Sequence, residues 1–388
     1  MTSSHDLVVV GGGAIGLACA WRCAQAGMSV LVLEREAPGA GASGVAAGML
    51  APVTEASFGE EALLALNLEA RAAWPGFAAE LEEATALPTG YLDSGALVVA
   101  ADRDDAEELR RLHAFQVELG LGAEWLTPSA AREREPALSP RIAGAIHAPQ
   151  DGQADPRAVV RALAAGLVAA GGELRTGVEA VGLETAGGRV GGVQVVPAGA
   201  ADGAEREVVP ATSVLIAAGA WSSAGEIGSD PFAPPVRPVK GQLLDLRVRP
   251  GRRPPARHLI RTPRCYLLTR PDGQVVLGAT QEEQGFDRTV TADGVYRLLE
   301  AAWEVLPDAG ELELVGARAG LRPATPDNAP AVGAGDVEGL LWATGHHRNG
   351  IVLAPLTAAA IAARLSGREP PAAFAPFGPD RFAGGVAA

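Results

Sequence analysis

Apolar positions in this chain follow two rhythms. Short, unbroken runs at residues 7–10, 30–33 and 214–217, with another opening at residue 340, have the composition of strands buried on both faces of a parallel sheet. Stretches with helical spacing separate them, at residues 14–27, 60–84, 105–119 and 351–365. A further helix opens with Asp155 as N-cap and Pro156 at its first position, and Gly171 and Gly172 stop it. Residues 90–101 read as a strand or hairpin, and residues 175–184 as a strand. From Val236 to Pro307 the pattern changes to "GQLLDLRV" and "CYLLTRPDGQVVLGAT", with "LELVGA" just beyond, which alternate as antiparallel strands do. Asp272 and Gly273 form the strongest hairpin-turn signal in the chain.

Three of the buried runs, far apart in sequence, end in glycine. Glycine suits a strand end where backbone must approach a flat ligand. The expected fold class is therefore α/β: one discontinuous Rossmann-like nucleotide-binding domain, with a mostly antiparallel α+β domain inserted between its pieces. We expect residues 1–84, 145–224 and 318–388 in the first domain, and 85–144 and 225–317 in the second.

Composition narrows the partners. With 388 residues, 48% of them hydrophobic, the chain can bury a large core. A formal net charge of −14 disfavours nucleic acid and anionic membrane surfaces. No run approaches the roughly 18 apolar residues of a membrane span, and "MTSSHDLVVV" lacks a basic segment ahead of a long apolar one. A cytoplasmic protein is expected. Cys19, Cys23 and Cys265 suggest no disulfide framework, and no histidine completes a metal site with the first two. Lys240 is the sole lysine, and its rarity carries no functional reading.

The first strand–helix–strand unit carries chemistry. Gly11, Gly13 and Gly16 form G-x-G-x-x-G between a strand and a helix that begins at Ala14 and Ile15. The first glycine permits a tight turn, the second admits a pyrophosphate to the backbone, and the third lets helix pack on strand. The helix N-terminus offers free N–H groups to the phosphates. Glu34, about 20 residues on, can accept hydrogen bonds from both hydroxyls of a ribose. An acidic residue there disfavours a 2′-phosphate, which leaves NAD and FAD. The small residues of "GASGVAAGML" then form either a flexible linker or a bed for a flat ligand.

Arg322 sits in "LRPATPDNAP", which reads as a loop. Its planar fork can hold a carboxylate in two places at once, which a lysine cannot match. A surface salt bridge is the bland alternative, disfavoured by the Gly/Pro-rich surroundings. Tyr266 reads equally well as a core or rim tyrosine and as a second donor to the same carboxylate. His346 and His347 read as packed histidines rather than proton carriers.

Taken together, "GGGAIG", "AAGML", "GLRPATPDNAP" and "TGHHRNGIVLAP" resemble the D-amino-acid oxidase superfamily, and within it the glycine oxidases of thiazole (thiamine) biosynthesis. The resemblance runs from Asp6 to about Leu365. It implies that Gly11–Gly16, with Glu34 and Arg35, hold the ADP half of a noncovalent FAD, and that Val178 meets the adenine. It implies that Ala42, Ser43, Ala47, Gly48 and Met49 line the isoalloxazine ring; Gly219 reads from the strand pattern itself as a cofactor-facing strand end. His346, His347, Arg348, Asn349, Gly350, Ile351 and Val352 match the loop beneath the flavin. Arg322 matches the arginine that grips the substrate carboxylate, with Tyr266 and Arg348 beside it. Arg261 stands near a position where some relatives carry a tyrosine, which bears on substrate size.

The implied reaction is oxidation of glycine and other small amino acids or amines by hydride transfer from Cα. The products would be an imine, then a 2-oxo acid, ammonia and, with molecular oxygen as acceptor, hydrogen peroxide. The alternatives are a D-amino acid or sarcosine oxidase or dehydrogenase using another acceptor, a noncatalytic flavoprotein subunit, and an NAD-dependent dehydrogenase. The resemblance also implies a homotetramer.

Overall fold

The apolar runs meet side by side. In the computed structural model, which describes residues 4–201, 203–229 and 233–383, the strand His5–Val10 pairs in parallel with Val30–Glu34 on one side and Glu207–Ile216 on the other. Leu340–Thr344 extends the parallel set beyond Glu207–Ile216. The register aligns their ends: Val10 is opposite Ile216, and Ile216 is opposite Trp342. The glycine-rich segments that follow the three runs therefore leave the same edge of one sheet. Glu173–Thr176 and Ala331–Ala334 close the sheet on its two sides.

Alternation along His5–Val10 divides the core. Leu7 and Val9 face a helical layer, packing with Leu17 and Trp21 of helix Ala14–Gln25, Trp74 and Leu81 of Glu61–Thr85, Leu163 of Pro156–Ala169 and Leu353 of Gly350–Leu365. Val8 and Val10 face the opposite way, toward Val193, Val195 and Trp342. Burying each such side chain contributes about 1.5–3 kcal/mol before chain entropy is subtracted. Asp155 caps its helix as the sequence suggests, accepting the Arg157 N–H, with Pro156 in the first turn. The single strand expected at 175–184 is two, Glu173–Thr176 and Val178–Ala186, broken at Gly177, where φ is +73°. The second of these forms an unanticipated hairpin with Arg189–Pro197, turning at Gly187 and Gly188.

The second sheet has the order Glu313–Ala324, Arg237–Arg247, Gln274–Gly278, Tyr266–Thr269, Leu259–Arg261, Ala96–Ala100, Gly144–Ala148 and Glu124–Leu126. All of its pairings are antiparallel except Leu259–Arg261 with Ala96–Ala100. Helix Ala292–Val305, absent from the strand-only reading of 236–307, covers one face through Leu298, Ala301, Ala302 and Val305. Thr291 caps it through the Gly294 N–H. Two strands of this sheet, Gly144–Ala148 and Glu313–Ala324, straddle the cuts expected at 145 and 318. We therefore propose domain boundaries after Ala148 and Ala324. Arg322 lies on a strand rather than in a loop, paired with Val239.

Candidate active site

A cavity of about 660 Å³ runs along the glycine edge of the parallel sheet and reaches the second sheet. Glu34, Arg35, Val178, Gly219 and Trp221 line one part of it, while Tyr266, Arg322, His347 and Glu55 line another.

At the first part the chain turns sharply. Gly11 has φ +110°, and its N–H donates to the Leu33 carbonyl at 2.8 Å. A Cβ there would lie 2.5 Å from the Ala217 oxygen. Any side chain at Gly16 would run into the Gly11 carbonyl, so this glycine holds helix to strand and does not itself line the cavity. Gly13 is the helix N-cap and has no side chain to occupy the first-turn N–H groups. Ala14 donates its N–H to Ser43 Oγ at 3.0 Å and lines the cavity with Ile15. The Glu34 carboxylate is fixed on the wall: Oε2 accepts the Gly12 N–H at 2.7 Å and Oε1 the Glu36 N–H at 2.8 Å. Arg35 stacks over Trp221 at 4.8 Å and reaches Glu179 at 3.5 Å. An open helix N-terminus beside an anchored carboxylate fits a dinucleotide, its diphosphate on the N–H groups and a ribose on Glu34.

The Gly/Ala segment is ordered rather than a linker. Ala42 and Ser43 open the short helix Ala42–Val45, and Met49 pairs with Gln153. At Gly48 φ is +90°, and a Cβ would collide with the Ala154 carbonyl. Arg270, buried behind it, donates to the Ala47 oxygen at 2.9 Å and the Ala154 oxygen at 3.1 Å. This cross-link was not read from the sequence. The only sign of it is a charged residue closing an apolar strand just before the Asp272–Gly273 turn.

Several arginines border the other part of the cavity, and they differ in one respect. Arg261 faces Glu55 at 3.9 Å, Arg348 faces Glu60 at 3.3 Å, and Arg264 pairs with Glu304. Arg322 has no carboxylate partner among the described residues. Its Nη1 donates to backbone, the Thr280 oxygen at 3.2 Å and the Lys240 oxygen at 3.4 Å, and the guanidinium also hydrogen-bonds the Tyr266 hydroxyl. Tyr266 stands in cross-strand register with Arg261 and with Gly278. Burial pushes its phenol up, and Arg322 beside it pulls the other way. Glu55, missed in the sequence, comes into the wall because the buried Asp151 accepts the Val53 N–H at 3.1 Å and the Thr54 N–H at 2.9 Å, setting the turn before it. Lys240, also passed over, is 1% exposed. Its Nζ meets Asp287 at 2.8 Å and Glu282 at 3.5 Å, anchoring the segment that begins at Thr280 and Gln281 on the cavity wall.

The 346–352 segment divides. His346 is packed, with Nε2 3.1 Å from Thr357 Oγ1, and burial pushes its pKa down to about 3. Arg348 is drawn outward, to Ser57 Oγ at 3.1 Å and Glu60. His346, His347, Arg348, Gly350 and Ile351 all line the cavity, whereas Asn349 and Val352 do not. The Asn349 carbonyl starts the helix by accepting the Leu353 N–H, and the Val352 carbonyl accepts Trp74 Nε1–H at 3.0 Å.

Residues 6–364 match the family described as DAO, FAD dependent oxidoreductase. The chain belongs to that family. It is 34% identical to the glycine oxidase of Geobacillus kaustophilus over 403 aligned residues, covering 100% of this chain and 99% of the relative. A bifunctional protein ThiO/ThiG of Trichormus variabilis is also 34% identical, over 92% of this chain, which spans 52% of that longer protein. Among solved structures, glycine oxidase from Geobacillus kaustophilus superposes with a TM-score of 0.88 at 33% identity, covering 97% of this chain and 98% of that one. Glycine oxidase from Bacillus cereus gives 0.84 at 30% identity, covering 94% and 98%.

The cofactor of this FAD-dependent family is FAD, and the shape of the Gly11–Gly16 turn with the anchored Glu34 carboxylate is compatible with such a molecule. Its acceptor of electrons is oxygen or another oxidant, and its substrates are small molecules. Among the described residues no helix is long and apolar enough to cross a membrane.

Proposed function

We propose that this FAD-dependent oxidoreductase oxidises glycine and other small amino acids at Cα. Arg322 carries the reading. A guanidinium facing a cavity with no carboxylate among the described residues to neutralise it is poised to receive one from a ligand. The other cavity arginines named above already have acidic partners, so a substrate carboxylate competes least at Arg322. Tyr266 adds a hydroxyl donor from the neighbouring strand set. Binding energy spent at the carboxylate orients Cα–H without altering the reacting bond.

When bound, FAD supplies the hydride acceptor, and the protein supplies orientation and charge. The cavity roles assigned here to Gly11, Glu34, Ala47, Gly48 and Met49 toward FAD belong to the same proposal, as does noncovalent binding. The imine product would hydrolyse to a 2-oxo acid and ammonia, with oxygen taking the electrons to give hydrogen peroxide. We place the reaction in thiazole formation for thiamine, where the imine itself is consumed. The buried, unpaired thiols of Cys19, Cys23 and Cys265 suit a reducing cytoplasm.

The test is an anaerobic panel of glycine, sarcosine, D-alanine and D-proline against the purified holoenzyme. Glycine should bleach the flavin absorbance, and readmitted oxygen should restore it with peroxide release. Flavin that no amino acid bleaches would sink the proposal. Bleached flavin that oxygen does not reoxidise, but a quinone or dye acceptor does, would move the enzyme to the dehydrogenases.

A further inference from the structure

His347 is placed against Arg322 by backbone alone. Its N–H donates to the Pro323 carbonyl at 2.8 Å, and the residue before it bridges to Ala324, so the two segments are zipped together beside the arginine. The backbone at His347 has φ +46°, a left-handed conformation uncommon for a residue with a side chain. The residue lines the cavity and is 9% exposed, yet among the described residues neither Nδ1 nor Nε2 has a hydrogen-bond partner. Buried ring nitrogens are rarely left unpaired, so an unsatisfied imidazole on a cavity wall calls for a partner that the fold does not supply. His346 shows the contrast, since its ring is satisfied by Thr357 inside the fold.

The ring is neutral. Burial and the charges of Arg322, Arg348 and Arg237 hold its pKa down to about 3. A neutral imidazole has one N–H and one lone pair. Arg322 and Tyr266 already give a carboxylate its donors, so the lone pair is the scarcer resource. Glu55 offers negative charge, but Arg261 faces it, and a carboxylate would favour an ammonium group. Oxidation at Cα begins from the uncharged amine, whose nitrogen pair must be free to move toward carbon. A neutral acceptor holds such an amine in place without stabilising its protonated form.

Resting on the amino acid oxidation proposed above, we infer that His347 is a substrate-recognition residue whose ring accepts a hydrogen bond from the substrate amino group. Two variants test it in the FAD-loaded enzyme, His347→Gln, which keeps an acceptor, and His347→Met, which fills similar volume without a strong one. Glycine affinity is read from the concentration dependence of anaerobic flavin reduction. Acetate, which has the carboxylate and no amine, is titrated by its perturbation of the flavin spectrum. His347→Met should weaken glycine about tenfold and leave acetate within about twofold, while His347→Gln recovers most of the loss. Equal weakening of both ligands would assign the ring to the carboxylate, and no weakening of either would remove it from the site. A Met variant that sheds FAD while the Gln variant keeps it would assign the ring to the cofactor. Each of these three results overturns the inference. Failure of wild-type flavin to respond to glycine would be seen first, and would count against the function rather than against His347.

Discussion

Gly241 lies against the guanidinium of Arg322: a Cβ added there would sit 2.5 Å from Nη2 and 2.6 Å from Cζ. The arginine fork therefore rests on bare backbone of the adjacent strand, where Gly241 pairs with Gly320. Substituting Gly241→Ala should push the fork off its position while leaving the Gly11–Glu34 turn untouched, since the added Cβ would meet Arg322 first. We expect a glycine KM raised at least tenfold with normal FAD content. Unchanged KM in a yellow, folded variant would show that the fork's placement does not matter.

Removing the fork itself is the stronger change. Arg322→Ala should lose roughly 2–5 kcal/mol of carboxylate recognition, a factor of about 30 or more in affinity. Arg322→Lys keeps the charge but not the planar pair of donors, and should recover only part of the loss. Acetate binding followed through the flavin spectrum checks both. Acetate bound equally well by the Ala variant would disprove the carboxylate assignment.

How far the sequence disclosed this site follows from the range of the interactions involved. The G-x-G-x-x-G turn and Glu34 were legible because turn, helix start and second strand are contiguous, so spacing alone encodes their geometry. The parallel runs were legible because burial on both faces leaves an unbroken apolar signature. Arg322 does line the cavity, but from a strand rather than a loop, because the Pro and Asn that follow it mark the end of its strand and look like a loop around it. Glu55, Arg270 and Lys240 were not found as site residues. Each acts through a partner distant in sequence: Glu55 through Asp151 and Arg261, Arg270 through Ala47 and Ala154, and Lys240 through Asp287. No local pattern marks such pairs. The helix Ala292–Val305 was missed because its buried positions lie inside a segment dominated by alternating strands.

Glu34 provides a prediction independent of substrate. Its carboxylate is tied to the Gly12 and Glu36 N–H groups and faces the cavity beside the helix start. In Glu34→Ala the turn loses an anchor and the ribose loses its acceptor. FAD should be lost more readily during dialysis, its apparent Kd rising at least about tenfold, on the order of 1.5 kcal/mol or more for charge-assisted hydrogen bonds. The fraction that stays yellow should keep its order of substrate preference. A change in that order would contradict the separation between the two parts of the cavity.

Stability against pH sets two opposing groups of side chains in competition. His346 and His347 have pKa values pushed down to about 3 from 6.5, chiefly by burial. They stay neutral in the fold but take up protons in the unfolded chain, so their contribution is complete above about pH 6.5 and is lost as pH falls toward 3. Asp151 runs the other way. Burial raises its carboxyl from 3.8 to about 6, against the Val53 and Thr54 N–H groups that favour its charged form. The folded protein holds that proton more tightly, so the contribution of Asp151 is complete below about pH 3.8 and is lost as pH rises to 6. Each tenfold difference in proton affinity between the folded and unfolded chain corresponds to about 1.4 kcal/mol. Two histidines with the larger displacement outweigh one carboxylate with the smaller. Thermal denaturation in excess FAD should therefore give a Tm that climbs from pH 4 to pH 7. His346→Gln should flatten the climb by removing one rising component, and Asp151→Asn should steepen it by removing the falling one. A wild-type Tm that declines over that interval would mean the two imidazoles are not held neutral in the fold.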